Sequence, residues 1–565
     1  MRTSFLACLA FAAAVTAAPT SSFDSLIART QAAADANSTK GSNVSYPVTL
    51  GGVNLLSASA KVIADALDAG KFSSADLVEA YLQRIKANDR QGLNLKAIIE
   101  TAPRDNILAI AAKLDAERAA GNKRSPIHGL PIAVKDNYNT APELGMNTTA
   151  GSYALLGQTT VGDAFVIDEL RKAGAIILAK ANLHEFAGEM GRHNSSAFSA
   201  RGGQVSSPYV EGGFAAGGDP GGSSSGSGAA VSAGFAALAL GTDTEGSIVN
   251  PSNRGALYGL RPSTGLTSRT GVVPISSSQD TTGPMGRSAW DVAAFLEVMA
   301  AKSDPLDRLS AAADPYRKDN YTQYLLGAEG LKGLRIGIPR EYQWNQTYNG
   351  LPDYMMSTLN DTLTTLASAG ATIVDPVLYH DAEQLKYTFP AGALPVNNAT
   401  RRLLTDFKAD LGSYLTTQLV NSTVTSLFDV INFNNLNPEL EFPLDLPDQF
   451  GQSTMIGSQA MQAPEVSPEY QLAQREMQRL YIEQIAPVFE EYDLDLILVP
   501  SEGDATRLCV IGQQPCGNVP AGQRPNGLPY GMTFTGRRYQ EGTVIRAMSG
   551  WEEISEARPV PSLLD

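Results

Sequence analysis

The stretch Gly217–Pro251, GGDPGGSSSGSGAAVSAGFAALALGTDTEGSIVNP, constrains this chain more than any other. A glycine and serine loop (Gly217–Gly228) runs straight into a small, apolar segment (Ala229–Leu240), and a Gly/Asp/Thr turn follows, closed by Ser247. Gly/Ser runs are ordinarily flexible linkers. A linker separates domains, whereas this one opens onto a segment of the right length for a buried helix, with a serine placed as its N-cap. Small side chains along such a helix let neighbouring backbones approach closely. The pattern predicts packed, ordered backbone here rather than a tether.

The 565 residues, 43% of them hydrophobic, suffice for a large core. No Pro-rich or charge-rich tether divides them, so one large domain over 55–565 is expected, after a polar leader at 19–54. Periodicity predicts helices over Ala58–Ala69, Ser73–Asn88 (Ser73 or Ser74 as cap), Ile107–Ala119, Thr160–Ala173 and Tyr354–Ala369. Apolar runs predict strands at Leu95–Glu100, Leu130–Val134, Ala175–Ala179, Leu334–Ile338, Ala371–Val374 and Leu494–Val499. This alternation indicates an α/β fold, a single large α/β/α sandwich around a mixed, mostly buried central sheet. Pro and Asn clusters around 380–460 mark a partly helical insertion.

The first residues, MRTSFLACLAFAAAVTAAPTSS, combine Arg2, an apolar run from Phe5 to Val15 and small residues near Ala17 and Ala18. They read as a secretory signal peptide over 1–18. No stretch is long and apolar enough for a membrane span. Secretion agrees with N-x-S/T sequons at Asn37, Asn43, Asn147, Asn194, Asn320, Asn345, Asn360, Asn398 and Asn421, which predict a glycoprotein. Cys8 leaves with the signal peptide. Cys509 and Cys516 are then expected to form a local disulfide, worth about 2–3 kcal/mol by loop entropy. The formal net charge of −15 argues against a nucleic-acid partner.

The four histidines, His128, His184, His193 and His380, lack metal-ligand spacing, and neither a G-x-S-x-G elbow nor a phosphate-binding loop occurs. No metal or cofactor is implied. Serines without a histidine partner remain, with one lysine at the end of an apolar strand. Lys135 either snorkels to solvent or is buried. If buried, loss of hydration lowers its pKa, and a fall from about 10.4 to near 7 corresponds to about 4–5 kcal/mol of differential destabilisation. Such a lysine is a workable general base. Ser247 closes a turn whose Gly246 permits close approach of a ligand and whose amides can converge on an oxyanion. Motif chemistry alone leaves Ser247 equally open as nucleophile or as turn residue.

Lys135 with its strand, GGSSSGSG at 221–228, GTDTEGSI at 241–248, YGLRPSTGLTSRTGVVPISSSQDTTGPM at 258–285 and Arg287 together resemble the amidase signature family. VPAG at 519–522 and GLPYGMTF at 527–534 extend the likeness towards the C-terminus. The resemblance implies a Ser–Ser–Lys triad. Ser247 matches the acyl-forming nucleophile, Ser223 the bridging serine after a cis non-proline peptide, and Lys135 the base. It also implies an oxyanion site at Thr244, Glu245 and Gly246, loop-ordering hydroxyls at Ser224 and Ser225, and loop support from Asp243 and Asp280 with Arg287. Glu245 stands where much of the family has glycine, a form similar to the peptide amidase branch. The loop VEGGFAAGGDP at 210–220 looks long and is expected to reshape the substrate mouth.

The implied function is hydrolysis of a carboxamide C–N bond, in a small-molecule or peptide amide, through an acyl-enzyme and without cofactor. Ester cleavage is a plausible side reaction. Alternatives are a catalytically silent secreted binding protein on the same fold, an amidotransferase-like subunit, or a two-domain structural glycoprotein tethered at Gly217–Gly228. Oligomeric state is not encoded in any feature of the sequence.

Overall fold

The computed structural model describes residues 45–191, 196–386, 398–442 and 451–565. The expected signal peptide, most of the leader, Cys8, His193 and the sequons at Asn37, Asn43 and Asn194 lie outside the described residues.

Local chemistry sets the element boundaries. The helix Ser74–Asn88 starts at Ser73, whose hydroxyl accepts the Asp76 N–H at 3.0 Å while Asp76 accepts the Ser73 N–H at 2.9 Å. This is a capping box. Helices also form at Ala60–Asp68, Arg104–Ala119, Phe165–Lys172 and Asp353–Ser368, near their expected places. The strand expected from Leu95 begins only at Ile98, because Asn94 and Lys96 take the left-handed conformation, each with φ 51°. The helix expected from Thr160 begins at Phe165, because Thr159–Thr160 instead pairs with Leu419–Val420.

Ala229–Leu240 is not one helix. The helix is Ser225–Ser232, and a strand, Leu238–Asp243, follows after a buried turn. Gly234, with φ +66°, ends the helix in the left-handed conformation. Two buried arginines take up its terminal carbonyls. Arg84 donates to the Ala233 and Gly234 oxygens at 2.8 Å each. Arg287 donates to Val231 O at 2.7 Å and Ala236 O at 2.9 Å. Arg287 therefore supports the far end of this helix rather than Asp280. Ser224 occupies the N-cap position without a capping bond; its hydroxyl donates to Thr242 O at 3.1 Å instead.

Among the described residues, eleven strands form the central sheet. In chain order they are β1 (Ile98–Thr101), β2 (Pro131–Lys135), β3 (Ile176–Ala181), β4 (Leu238–Asp243), β5 (Tyr258–Arg261), β6 (Thr281–Gly286), β7 (Arg335–Gly337), β8 (Thr372–Val374), β9 (Leu496–Pro500), β10 (Cys516–Gln523) and β11 (Pro529–Gly536). Their spatial order is β8-β7-β9-β11-β10-β5-β6-β4-β2-β3-β1. β2 pairs in parallel with β3 and β4, and β7 pairs in parallel with β8 and β9, while the remaining contacts are antiparallel. Every residue of β2, β3, β4, β6, β9 and β11 is buried, so both faces of the sheet are covered. The fold is an α/β sandwich on a mixed sheet.

Helices Asn398–Thr417, Leu427–Leu436, Pro438–Glu441 and Ser453–Gln459 occupy most of the described part of 380–460. Phe407, Leu411, Leu427, Val430 and Met455 pack there with Leu155 and Phe186 in a separate apolar cluster. These apolar side chains are thus buried against the loops beyond β2 and β3. Among the described residues no helix is long and apolar enough to cross a membrane.

Candidate active site

The site lies at the carboxyl ends of the parallel strands β2, β3 and β4, where open α/β sheets place their ligands. Lys135 is the last residue of β2 and is fully buried. Its Nζ lies 2.7 Å from Ser223 Oγ, 2.9 Å from Thr242 Oγ1 and 3.4 Å from Thr242 O. Burial brings the ammonium down to a pKa of about 7, against the opposing pull of Asp243 and Asp280. Of the two sequence alternatives for Lys135, the buried one holds.

Ser223 follows a cis peptide from Gly222, and its carbonyl accepts the His184 N–H at 2.9 Å. Ser224 N–H donates to Ser247 O at 3.2 Å, which ties the Ser223 loop to the turn after β4. The helix behind this loop passes very close to β3. A Cβ on Gly226 would lie 2.3 Å from Ala97 O and 2.4 Å from Asn182 N. That contact accounts for the small residue, and it fixes the loop against the strand ends.

The turn after β4 is held from below by carboxylates. Asp243 Oδ1 accepts the Gly246 N–H at 2.8 Å and Oδ2 accepts the Ile248 N–H at 2.7 Å. The buried Arg261 of β5 approaches Asp243 with Nε at 3.4 Å. Thr244 Oγ1 donates to Asp280 at 2.6 Å, and Asp280 also accepts the Ile275 and Ser276 amides. Gly246 adopts φ +87°, so its role is to turn the chain. Its amide is committed to Asp243. The Thr244 and Ser247 amides have no acceptor among the described residues and stay available for an oxygen anion.

Ser247, Thr244, Glu245 and Gly246 open onto a cavity of about 730 Å³. His184 forms part of the wall, and burial and the nearby Lys135 lower its pKa to about 4, so the ring is neutral. Tyr348 and Asp504 also line the cavity, with the Tyr342 and Tyr348 hydroxyls donating to Asp504 Oδ2 at 3.0 and 2.8 Å. Arg507 lies 3.8 Å from Glu245. The insertion supplies Thr400 and Leu403. A buried base touching one serine, a second serine on a floor of free amides, and a cavity above form an arrangement suited to acyl transfer.

The amidase family profile matches residues 76–510. The chain belongs to this family. A probable amidase of Arabidopsis thaliana is 34% identical over 501 residues, or 88% of this chain and 90% of its own. The structure of a peptide amidase from Stenotrophomonas maltophilia matches with a TM-score of 0.80 at 36% identity, covering 89% of this chain and 98% of its own. One of the subunits of the glutamyl-tRNA(Gln) amidotransferase of Symbiobacterium thermophilum is 32% identical over 87% of this chain and 96% of its own. The enzyme is an amidase, a hydrolase of amides.

Sequence reasoning misses several residues of this amidase. Arg261 sits in the quoted YGLRPSTG motif, yet the loop support was expected from Arg287; a charged residue within an otherwise apolar strand is the available signal. Thr242 lies within GTDTEGSI but the resemblance gives it no role, and His184 and the Tyr342–Tyr348–Asp504 cluster carry no motif. The loop 210–220 does not line the cavity. Its Gly218 O accepts the Ser207 N–H, Asn526 approaches Gly217 O, and Asp219 accepts the Ser196 hydroxyl at 3.0 Å. Cys509 and Cys516 are joined in a disulfide with their Cα atoms 6.3 Å apart. Asn320, Asn360 and Asn421 are exposed. Asn345 is half-buried, and Asn398 opens a helix. Asn147 is half-buried, with Nδ2 donating to Glu100.

Proposed function

We propose that the enzyme cleaves carboxamide C–N bonds through an acyl-enzyme formed on Ser247, with Ser223 and Lys135 as the proton relay. The contact that carries this reading is Lys135 Nζ to Ser223 Oγ at 2.7 Å, with the lysine tuned to about 7. A base of that pKa works best near neutral pH. Neutral Lys135 takes the Ser223 proton as Ser223 takes that of Ser247, and Ser247 Oγ bonds to the amide carbon. The carbonyl electron pair moves onto oxygen, where the Thr244 and Ser247 amides stabilise it. Collapse breaks the C–N bond, and the relay returns its proton to the departing amine. Water, deprotonated by the same relay, then releases the carboxylic acid and restores Ser247.

Likeness to a peptide amidase at 36% identity favours peptide C-terminal amides as substrates. The apolar run behind Arg2, together with the exposed sequons, supports a secreted glycoprotein. Release of ammonia or amine from a panel of peptide amides, aliphatic amides and anilides tests the reading, with wild type run beside Ser247→Ala and Lys135→Ala. Loss in both variants is expected. No turnover by wild type and no labelling of Ser247 by a fluorophosphonate would defeat it. The amidotransferase reading draws on the 32% identity to one component of such an enzyme. It predicts glutaminase activity that rises when the remaining amidotransferase components are added.

A further inference from the structure

Behind the cavity wall, two carboxyl groups outside the relay meet in the protein interior. Glu185 opens the turn Glu185–Gly188 after β3, and Glu441 ends the short helix Pro438–Glu441 of the insertion. Each is 1% exposed. Ala200 N–H donates to Glu185 Oε2 at 2.7 Å. Ser152 Oγ and Tyr153 N–H donate to Glu441 Oε1 at 2.9 and 2.8 Å. The remaining oxygens, Glu185 Oε1 and Glu441 Oε2, are buried without any N–H or O–H donor from elsewhere, and the two side chains are in hydrogen-bonding contact with each other. Among the described residues neither carboxyl has a lysine, arginine or histidine within ion-pair distance. Ionised carboxylates only accept hydrogen bonds, so this contact requires a proton between them. Glu441, with two donors, is the better acceptor, and Glu185 carries the proton.

The pair joins the two walls of the cavity. On one side, the turn at Glu185 holds Phe186 and Ala187 at φ 43° and 54°, and the preceding His184 N–H fixes the Ser223 carbonyl. On the other, the insertion supplies Thr400 and Leu403. We propose that Glu185 and Glu441 act as a proton-sharing latch that positions the insertion and the Ser223-bearing wall against each other and releases when the shared proton is lost. The consequence for turnover rests on the role given to Ser223 above.

Tyr153, from the turn Tyr153–Leu155, lies within electrostatic reach of both carboxyls, and also of Arg201, from the segment after Phe198–Ser199, and of Arg90, after Ser74–Asn88. Arg201 is itself bound to Glu100 at 3.1 Å, and Arg90 donates to the Gly202 and Ile98 carbonyls. They leave the shared proton as the link between the carboxyls. Burial and Glu441 hold the Glu185 carboxyl well above its ordinary value of 4.5, and burial raises Glu441 as well. A carboxyl whose folded-state pKa is raised stabilises fully in acid, and that stabilisation is lost as pH rises through the raised value. The latch is therefore closed at low pH and opens in alkali, where two buried carboxylates would repel.

Hydrogen exchange on the full chain from about pH 5 to about pH 9, corrected for intrinsic rates, tests this. In wild type, protection over 183–191 and 427–442 is expected to fall by about tenfold across that range relative to β4. Glu185→Gln, whose amide donates the same bond at every pH, should stay flat and keep its kcat/KM. Glu441→Ala should be unprotected at every pH. Should the alanine variant fail to fold, Glu441→Gln replaces it, since its amide donates to Glu185 while its oxygen keeps Ser152 and Tyr153; it too should be flat. A glutamine variant that follows the wild-type pH dependence, or behaves like Glu441→Ala, overturns the latch. So does a wild type without pH dependence. Exchange needs no substrate, so this outcome is independent of which amide is cleaved.

Discussion

The floor and the wall of the cavity are built on different principles. The floor is strand-end backbone at β2 and β4, where Lys135, Ser223, Thr242 and Asp243 are buried, Asp280 is half-buried, and hydrogen bonds interlock the group. The wall contributed by the insertion is a helix, Asn398–Thr417, seated on its own apolar cluster around Phe407 and Leu411. A buried polar network tolerates little change, because each group removed strands its partner. An apolar helix face tolerates volume-conserving change. On the proposed mechanism the chemistry belongs to the floor, and the wall sets which amide fits.

The largest effect should come from the floor. Lys135→Ala is expected to lower kcat by about 10²–10⁴-fold, measured as ammonia release on the best amide. The same lysine sets the pH profile. Only the neutral form can accept a proton, so kcat/KM should rise tenfold per pH unit below about 7 and level off above. Between 7 and the ordinary lysine value of 10.5 the unfolded chain binds a proton that the folded chain does not, so Lys135 also makes stability rise with pH there. An acid limb centred far from 7 would remove Lys135 as the base.

Next in size is a floor residue that does no chemistry. Arg261→Ala leaves Asp243 buried without its cation, which should cost about 3–5 kcal/mol in denaturant unfolding. Reduction of Cys509–Cys516 should cost less, about 2–3 kcal/mol, with turnover retained, since the bridge lies beside β10 and β11 rather than on the cavity. If reduction removed turnover at unchanged stability, the division between floor and surroundings would be misplaced.

That division also explains what was legible in the sequence. Lys135 and Lys180 both sit at the ends of apolar strands, and both are fully buried. Only the long matching context around the serines distinguishes them. In the structure Lys180 is absorbed by Asp136 at 3.8 Å and Thr148 at 2.9 Å, whereas Lys135 faces Ser223. The helix–strand break inside Ala229–Leu240 has one local signal, Gly234, which ends the helix, but the Arg84 and Arg287 contacts that hold its carbonyls come from distant parts of the chain. Long-range capping leaves no local signal. The wall was illegible for the same reason. Its helices carry ordinary amphipathic patterns, and nothing in them says which turn faces a cavity.

The smallest expected effect is the one that tests the wall alone. Leu403 lines the cavity from the insertion helix while its inner side packs on the Phe407 cluster. Leu403→Ala removes apolar contact with the substrate and nothing from the relay. A few methylenes of apolar contact discriminate substrates by about 10–200-fold. Bulky apolar amides should therefore lose about tenfold in kcat/KM, mainly through KM. A small amide such as an acetamide derivative, which does not reach the helix, should be cleaved at the wild-type rate. Equal losses for large and small amides would mean that Leu403 acts on the relay through the insertion. The wall would then be part of the catalytic apparatus, and the contrast between the two regions would fail at the point where they touch.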